Sequence, residues 1–240
     1  MSIKLKKLKE LRKGISASLM CADLLNLEND IKILESSGCE YLHFDIMDGN
    51  FVPNIALSPD IIKAVRKVSK LPADIHLMVA NPENYIKSLE IKSGDIVSIH
   101  VESTNHIQRI LSSIREAGGH PAAAVNPGTP LCMAEEILQD IDMLLIMTVN
   151  PGFAGQKIVP QTINKITSAK KFLANCGYDD IALEADGCVS FENAVKLKTA
   201  GIDIYVAGTS SIFKKDSGSQ IIKPTVNLQK NIQDFLSIIY

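Results

Sequence analysis

The chain has 240 residues, 46% of them apolar and 22% charged, with a formal net charge of −2, no Trp, seven Phe and five Tyr. That is an ordinary globular composition; the lack of a broad basic excess argues against nucleic acid as a partner, and no run approaches the ~20 apolar residues of a membrane span. Five cysteines (Cys21, Cys39, Cys132, Cys176, Cys188), odd in number and never spaced C-x-x-C, argue against a disulfide framework or a structural zinc site and for a reducing, cytoplasmic compartment.

The N-terminal stretch MSIKLKKLKELRKG carries the one basic cluster, with Leu5, Leu8 and Leu11 at helical spacing. The apolar run after it contains two serines and stops at Asp23, which makes a poor signal-peptide core. Residues 1–13 are therefore read as a solvated lead-in helix, and residues 14–240 as one domain. Along that domain the predicted strands are ISASLM (15–20), YLHFDIMD (41–48), ADIHLMV (73–79), DIVSIHVE (95–102), PAAAVN (121–126), MLLIMTV (143–149), IALEAD (181–186) and IYVAGT (204–209). Helical patterns lie between them, among them LLNLENDIKILESSG, PDIIKAVRKVS, HIQRILSSIREAGG and TINKITSAKKFLANCG. Several of these end at glycine and others begin after Ser, Asp or Asn, with proline near the first turn.

Regular alternation of strand and helix, with about eight of each, implies parallel strands joined by right-handed crossovers. Eight such units in about 225 residues favour a closed (β/α)₈ TIM barrel over a doubly wound sheet. No G-x-G-x-x-G follows the first strand, as a dinucleotide-binding fold would require. In such a barrel, functional groups sit at the C-terminal strand ends and in the loops that follow.

The unusual residues obey that rule. Ser18 lies in the first strand, His43 and Asp45 in the second, and His76 in the third; Asn126 ends the fifth, Asn150 follows the sixth, and Glu184 and Asp186 close the seventh. His43 and Asp45 are two positions apart on a strand, so both project to one face, about 6.6 Å apart along it. His76 and Asp186 point inward from other strands at the same height. A single strand histidine is more often a hydrogen-bonded core residue than a ligand. Two imidazoles and two carboxylates converging in one mouth, however, make a divalent-metal site. His100 fits equally a supporting role behind the site and a core position, while His106 and His120 are expected at the surface.

A second cluster is rich in small residues: NPGFAGQ after the sixth strand, DGC after the seventh and AGTS after the eighth. Glycine lets backbone N–H groups approach an anion, and late βα loops of these barrels commonly bind phosphate. Met47, Met78 and Met147 lie near strand ends, either as core packing or as a soft apolar floor under a flat intermediate.

With ISASLMCAD, HFDIMDGNFVPN, DIHLMV, NPGTP, MTVNPGFAGQ, EADG and VAGTS in order, the chain resembles the ribulose-phosphate 3-epimerase family over nearly all of residues 14–215. The resemblance implies a phosphate-binding barrel that inverts C3 of a ketose phosphate through an enediolate. It makes His43, Asp45, His76 and Asp186 the ligands of one divalent ion per subunit, with Zn²⁺ ahead of Fe²⁺, Mn²⁺ or Co²⁺. Asp45 and Asp186 become the proton-transfer pair; Ser18, His76 and the three methionines become substrate contacts. Gly152, Phe153, Ala154 and Gly155, with Gly187, Cys188, Gly208 and Thr209, become the phosphate cradle.

Three positions depart from the common family pattern: Ala17 stands for proline, Cys188 for a second glycine, and FAGQ for FGGQ. The combination SLMCADLL, MTVNPGFAGQ and GTSSIF is similar to the allulose-6-phosphate 3-epimerase branch, which leans the expected substrate toward a hexulose phosphate rather than ribulose 5-phosphate. A phosphosugar lyase or decarboxylase of the same barrel type would carry a lysine among these carboxylates, which HFDIMDG lacks. A non-catalytic phosphosugar-binding barrel would lose one of the two aspartates. The expected partners are a small ketose phosphate and further copies of this chain, to which the apolar tail FLSIIY adds a contact surface.

Overall fold

The computed structural model describes residues 11–214 and 227–240. Its strands are β1 (Gly14–Ser18), β2 (Tyr41–Asp48), β3 (Ile55–Ala56), β4 (Ala73–Met78), β5 (Ile96–His100), β6 (His120–Val125), β7 (Met143–Met147), β8 (Ala182–Asp186) and β9 (Ile204–Ala207). All but β3 pair in parallel in the order β1-β9-β8-β7-β6-β5-β4-β2, and β1 pairs with β2, so the sheet closes into an eight-stranded barrel. The two-residue β3 pairs antiparallel with the end of β2 and is too short to leave a periodic signal in the sequence.

The alternation within each strand explains the barrel. In YLHFDIMD, Leu42, Phe44 and Ile46 belong to the buried cluster between barrel and helices, while His43, Asp45 and Met47 occupy the opposite face. Burying each of the large apolar side chains stabilises the fold by about 1.5–3 kcal/mol. The inner face is layered. Tyr41, Ile96, Ala122, Met143 and Ile204 close the N-terminal end. Above them Ser16, His43, Asp74, Ser98 and Glu184 form a polar layer with no solvent exposure.

Helices α1 (Leu27–Ser36), α2 (Pro59–Val65), α3 (Ile107–Glu116), α4 (Gln161–Asn175), α5 (Phe191–Ala200) and α6 (Leu228–Ile239) surround the barrel. Each turns an apolar face inward, as Ile110, Leu111 and Ile114 do in α3. The predicted eight helices are thus six α-helices among the described residues. The crossover from β4 to β5 uses two short 3₁₀ turns (Pro82–Asn84 and Ile86–Leu89), and that from β6 to β7 uses 3₁₀ geometry over Leu131–Asp140.

Three further expectations need correction. Several predicted strands run one or two residues too long: β1 stops at Ser18 and β6 at Val125, which leaves Asn126 in the following loop. His120 is buried rather than superficial, because its Nδ1 lies 2.8 Å from Asp142 on the neighbouring strand's approach. In the tail FLSIIY, Phe235 and Ile239 are buried on the chain's own barrel, where Phe235 meets Phe191 and Tyr205 edge-on, while Tyr240 is exposed. Residues 1–10 of the expected lead-in helix lie outside the described residues, and Leu11–Lys13 are not helical. No helix among the described residues is long and apolar enough to cross a membrane.

Candidate active site

The register of the parallel strands places the polar residues. Asp45 is the Cα partner of His76, and His43 that of Asp74, so β2 and β4 present two matched pairs to the interior. Ser18 pairs with His43 across β1 and β2, and Met147 with Asp186 across β7 and β8. Ligand atoms of His43, Asp45, His76 and Asp186 all lie within 4.8 Å of one another. The expected four-residue convergence is therefore present, although its members come from three strands.

The distances fit a cation. His43 Nε2 is 3.3 Å from Asp45 Oδ1 and 4.0 Å from Asp186 Oδ2. His76 Nδ1 is 3.6 Å from the same Asp45 oxygen and 3.3 Å from the same Asp186 oxygen. Bonds of about 2.0–2.2 Å to a tetrahedral ion put ligand atoms roughly 3.3–3.6 Å apart. Both nitrogens are buried and have no hydrogen-bond partner. Such orphaned atoms are costly unless something fills the space between them, so the residues present fit a divalent ion.

Electrostatics agree. Burial alone pushes the Asp45 carboxyl up, but His43 and His76 outweigh it and hold the group well below the ordinary carboxylate range. Burial pushes His43 down, yet Asp74 and Asp45 raise it well above the usual histidine value. His76 is likewise raised by Asp186 and Asp45 against its burial. Without a cation, the carboxylates thus favour the protonated form of both imidazoles.

A layer beneath the cluster escaped sequence reasoning. His43 Nδ1 sits 2.7 Å from Asp74 Oδ2, which also accepts from the Ser16 hydroxyl at 2.6 Å. Glu184, noted only as a strand-end acid, is fully buried; burial and the charge of Asp74 push its carboxyl well above the ordinary value. Neither of its oxygens nor Asp74 Oδ1 has a hydrogen-bond partner. His43, Asp74 and Glu184 also lie close enough to hold a cation, but His43 Nδ1 is already committed to Asp74. The available signal was the D-x-H spacing in ADIHLM, the mirror of H-x-D in HFD.

Above the cluster opens a cleft that is partly open to solvent. Of the expected substrate and phosphate residues, Ser18, Met47, Met78, Met147, Gly152, Phe153, Ala154, Gly155, Gly187, Cys188, Gly208 and Thr209 all line it, with Asp45 and Asp186 at its base. His43 and His76 do not; they lie below, without solvent exposure. Ser18 donates its hydroxyl to Asp45 Oδ2 at 2.8 Å. Met20, Cys21, Gln156 and Ser210 also line the cleft; each lies within one of the quoted motifs, which was the available signal.

Glycine is required at two points of the rim. Gly187 has φ +132°, and a Cβ there would collide with the Thr148 hydroxyl and come within 3.0 Å of the Val149 amide nitrogen. Gly152, at φ +125°, lies against Val52 and Pro53, and its carbonyl accepts from the Asn54 side-chain amide at 2.6 Å. That bond ties the loop after β2 to the loop after β7. Cys188 is fixed by Asn193, whose side chain donates to the Cys188 carbonyl at 2.8 Å. Ser190 caps α5 immediately beyond it by accepting from the Asn193 amide.

Known proteins resemble this chain at two levels, fold and sequence. The fold recurs in KGPDC from Streptococcus mutans, with a TM-score of 0.70 at 10% identity over 96% of this chain and 100% of that one. A 3-hexulose-6-phosphate synthase matches with a TM-score of 0.61 at 13% identity over 94% and 99%. In sequence, the chain is 39% identical to the ribulose-phosphate 3-epimerase of Bacillus subtilis (strain 168), over 84% of this chain and 93% of that protein. It is also 39% identical to the chloroplastic ribulose-5-phosphate-3-epimerase of Arabidopsis thaliana, over 86% and 74%. Identity to the ribulose-phosphate 3-epimerase of Escherichia coli (strain K12) is 34%, over 87% and 92%. Residues 14–213 match the model of the ribulose-phosphate 3 epimerase family, and the chain belongs to that family.

Proposed function

We propose that this chain is a divalent-metal-dependent ketose-phosphate 3-epimerase in which Asp45 and Asp186 carry the proton across C3. The observation that supports it most is the meeting of His43, Asp45, His76 and Asp186 at the base of a glycine-rimmed cleft. Relatives at 34–39% identity that are named ribulose-phosphate 3-epimerases support the same reaction.

The C3 hydrogen of a ketose phosphate is acidic because its removal gives an enediolate conjugated with the C2 carbonyl. One carboxylate accepts that proton as the C–H bond breaks. The other, carrying a proton, delivers it to the opposite face, and the two exchange roles in the reverse direction. Asp45 suits the acceptor role, since the Ser18 hydroxyl fixes it and the two imidazoles keep it ionised. When bound, a divalent ion held by His43, Asp45, His76 and Asp186 would supply positive charge that stabilises the enediolate. Met47, Met78 and Met147 give the planar enediolate a water-poor apolar floor. The loops at 152–155, 187–188 and 208–209 hold the phosphate at the far rim, where backbone N–H groups can approach it.

Two epimer pairs of ketose phosphates are the candidate substrates. The names of the relatives favour D-ribulose 5-phosphate and D-xylulose 5-phosphate. The motifs SLMCADLL, MTVNPGFAGQ and GTSSIF favour D-allulose 6-phosphate and D-fructose 6-phosphate. Measuring kcat/KM for both sugars on one preparation, together with deuterium exchange at C3, tests the reading. Turnover of at least one, with exchange confined to C3, is expected. Absence of both turnover and exchange with either sugar rejects the epimerase assignment.

A further inference from the structure

His76 meets a second imidazole on the side away from the carboxylates. Its Nε2 lies 2.8 Å from Nε2 of His100, with the rings stacked 5.0 Å apart between centroids. His100 Nδ1 in turn lies 3.1 Å from Oε2 of Glu102. The other Glu102 oxygen accepts from the Asn126 amide at 2.9 Å and from the Thr129 hydroxyl. Lys165 clamps that loop, donating to the carbonyls of Asn126 and Thr129, each at 2.5 Å.

Proton positions along this chain are not independent. Two facing Nε2 atoms share a single proton. If His76 Nδ1 offers its lone pair to a cation, the ring proton must sit on Nε2 and be donated to His100. His100 then carries its own proton on Nδ1 and donates it to Glu102, an acceptor already aligned by the Thr129 hydroxyl and the Asn126 amide. Each link therefore has one direction, and that direction ends at a bare His76 Nδ1. His43 reaches the same state through one partner, Asp74; His76 needs two residues because no carboxylate stands directly behind it.

We propose that His100 and Glu102 are positioning residues that set the His76 tautomer and thereby the affinity of the site for its divalent ion. The proposal rests on the metal reading above. Outer partners of metal-bound histidines orient the ring and raise its basicity, and their loss typically weakens metal binding about 10–100-fold. Packing alone would not require the polar chain: His100 is sandwiched between His76 and Phe51, whose centroid lies 4.8 Å away, and a phenyl ring could fill that gap.

The test is Zn²⁺ binding to the full chain, by chelator competition, for wild type, His100→Phe, Glu102→Ala and Glu102→Gln, with the melting temperature of each metal-free protein as a folding check. The expected result is a dissociation constant raised about 10–100-fold in His100→Phe and Glu102→Ala, less in Glu102→Gln, with turnover returning as Zn²⁺ is increased. Glu102→Gln keeps the shape of the side chain while replacing one acceptor oxygen with a donor, and it keeps the test open should either larger change unfold the barrel. Wild-type-like affinity in the folded variants overturns the relay alone, as does lost turnover that excess Zn²⁺ does not repair. A wild-type chain that takes up no Zn²⁺ overturns the metal reading and the relay with it.

Discussion

His43 and His76, with ring centroids 5.7 Å apart, present opposite nitrogens to the same pair of carboxylates. His43 offers Nε2 because Asp74 occupies its Nδ1, and His76 offers Nδ1 because His100 occupies its Nε2. The ring backing, and not the strand positions alone, decides which nitrogens meet in the centre.

Removing the ion with a chelator should lower kcat, and adding Zn²⁺ or Mn²⁺ should restore it. The apparent affinity should fall as pH falls, because His43 and His76 both hold protons more tightly than an ordinary histidine and a cation must displace them. At a free-ion concentration 100-fold above Kd, binding should add about 2.7 kcal/mol of stability, read as a higher Tm. Full activity in exhaustively metal-free protein would remove the ligand assignment.

Asp45→Asn and Asp186→Asn should each lower kcat by about 10²–10⁴-fold, the range expected for a proton-transfer group, while the far-UV circular dichroism stays that of wild type. Loss of C3 deuterium exchange should accompany the loss of turnover. Near-normal turnover in either variant would refute the two-carboxylate mechanism.

Gly187→Ala should damage phosphate binding more than folding. The new Cβ meets Thr148 and Val149 at the end of β7, and φ +132° is strained for any side chain. KM should rise, and inorganic phosphate should inhibit less well, at temperatures where the variant remains folded. An unchanged KM would show that this turn does not shape the phosphate site.

Far from the cleft, Asp142 accepts from Arg115 at 2.8 Å and lies 2.8 Å from His120. Burial pushes its carboxyl up, but His120 and Arg115 prevail and lower it below its ordinary value of 3.8. The unfolded chain therefore takes up this proton first on acidification. The contribution is fully present above that ordinary value and is lost as pH falls through the lowered one. Asp142→Asn should cost about 1–3 kcal/mol at neutral pH, a gap that closes in acid when urea unfolding is followed against pH. A gap independent of pH would show that the ionised carboxylate is not what matters.

Much of the site was legible because a strand alternates its faces. HFDIMDG put His43 and Asp45 on one side, and the strand-end rule placed His76, Asp186 and the glycine loops beside them. Less legible was whatever depends on neighbours remote in sequence. His120 reads as a loop residue until β6 is laid against the segment bearing Asp142, and FLSIIY reads as a free apolar tail until α6 is seated on β1. The crossovers at 82–89 and 131–140 carry helical apolar spacing, yet adopt 3₁₀ turns; short apolar periodicity does not distinguish the two.

The order of amino acids alone sets the alternation of strands and helices, the inward-facing side of each strand, and the residue types gathered at one end of the barrel. Which nitrogen of each histidine faces the carboxylates is settled only in the folded chain, because that depends on Asp74, His100 and Glu102 arriving behind the rings from particular strands and loops. Side-chain direction along a strand is a local consequence of backbone geometry. A tautomer follows from hydrogen-bond partners, and those meet only after the barrel has closed in its own register.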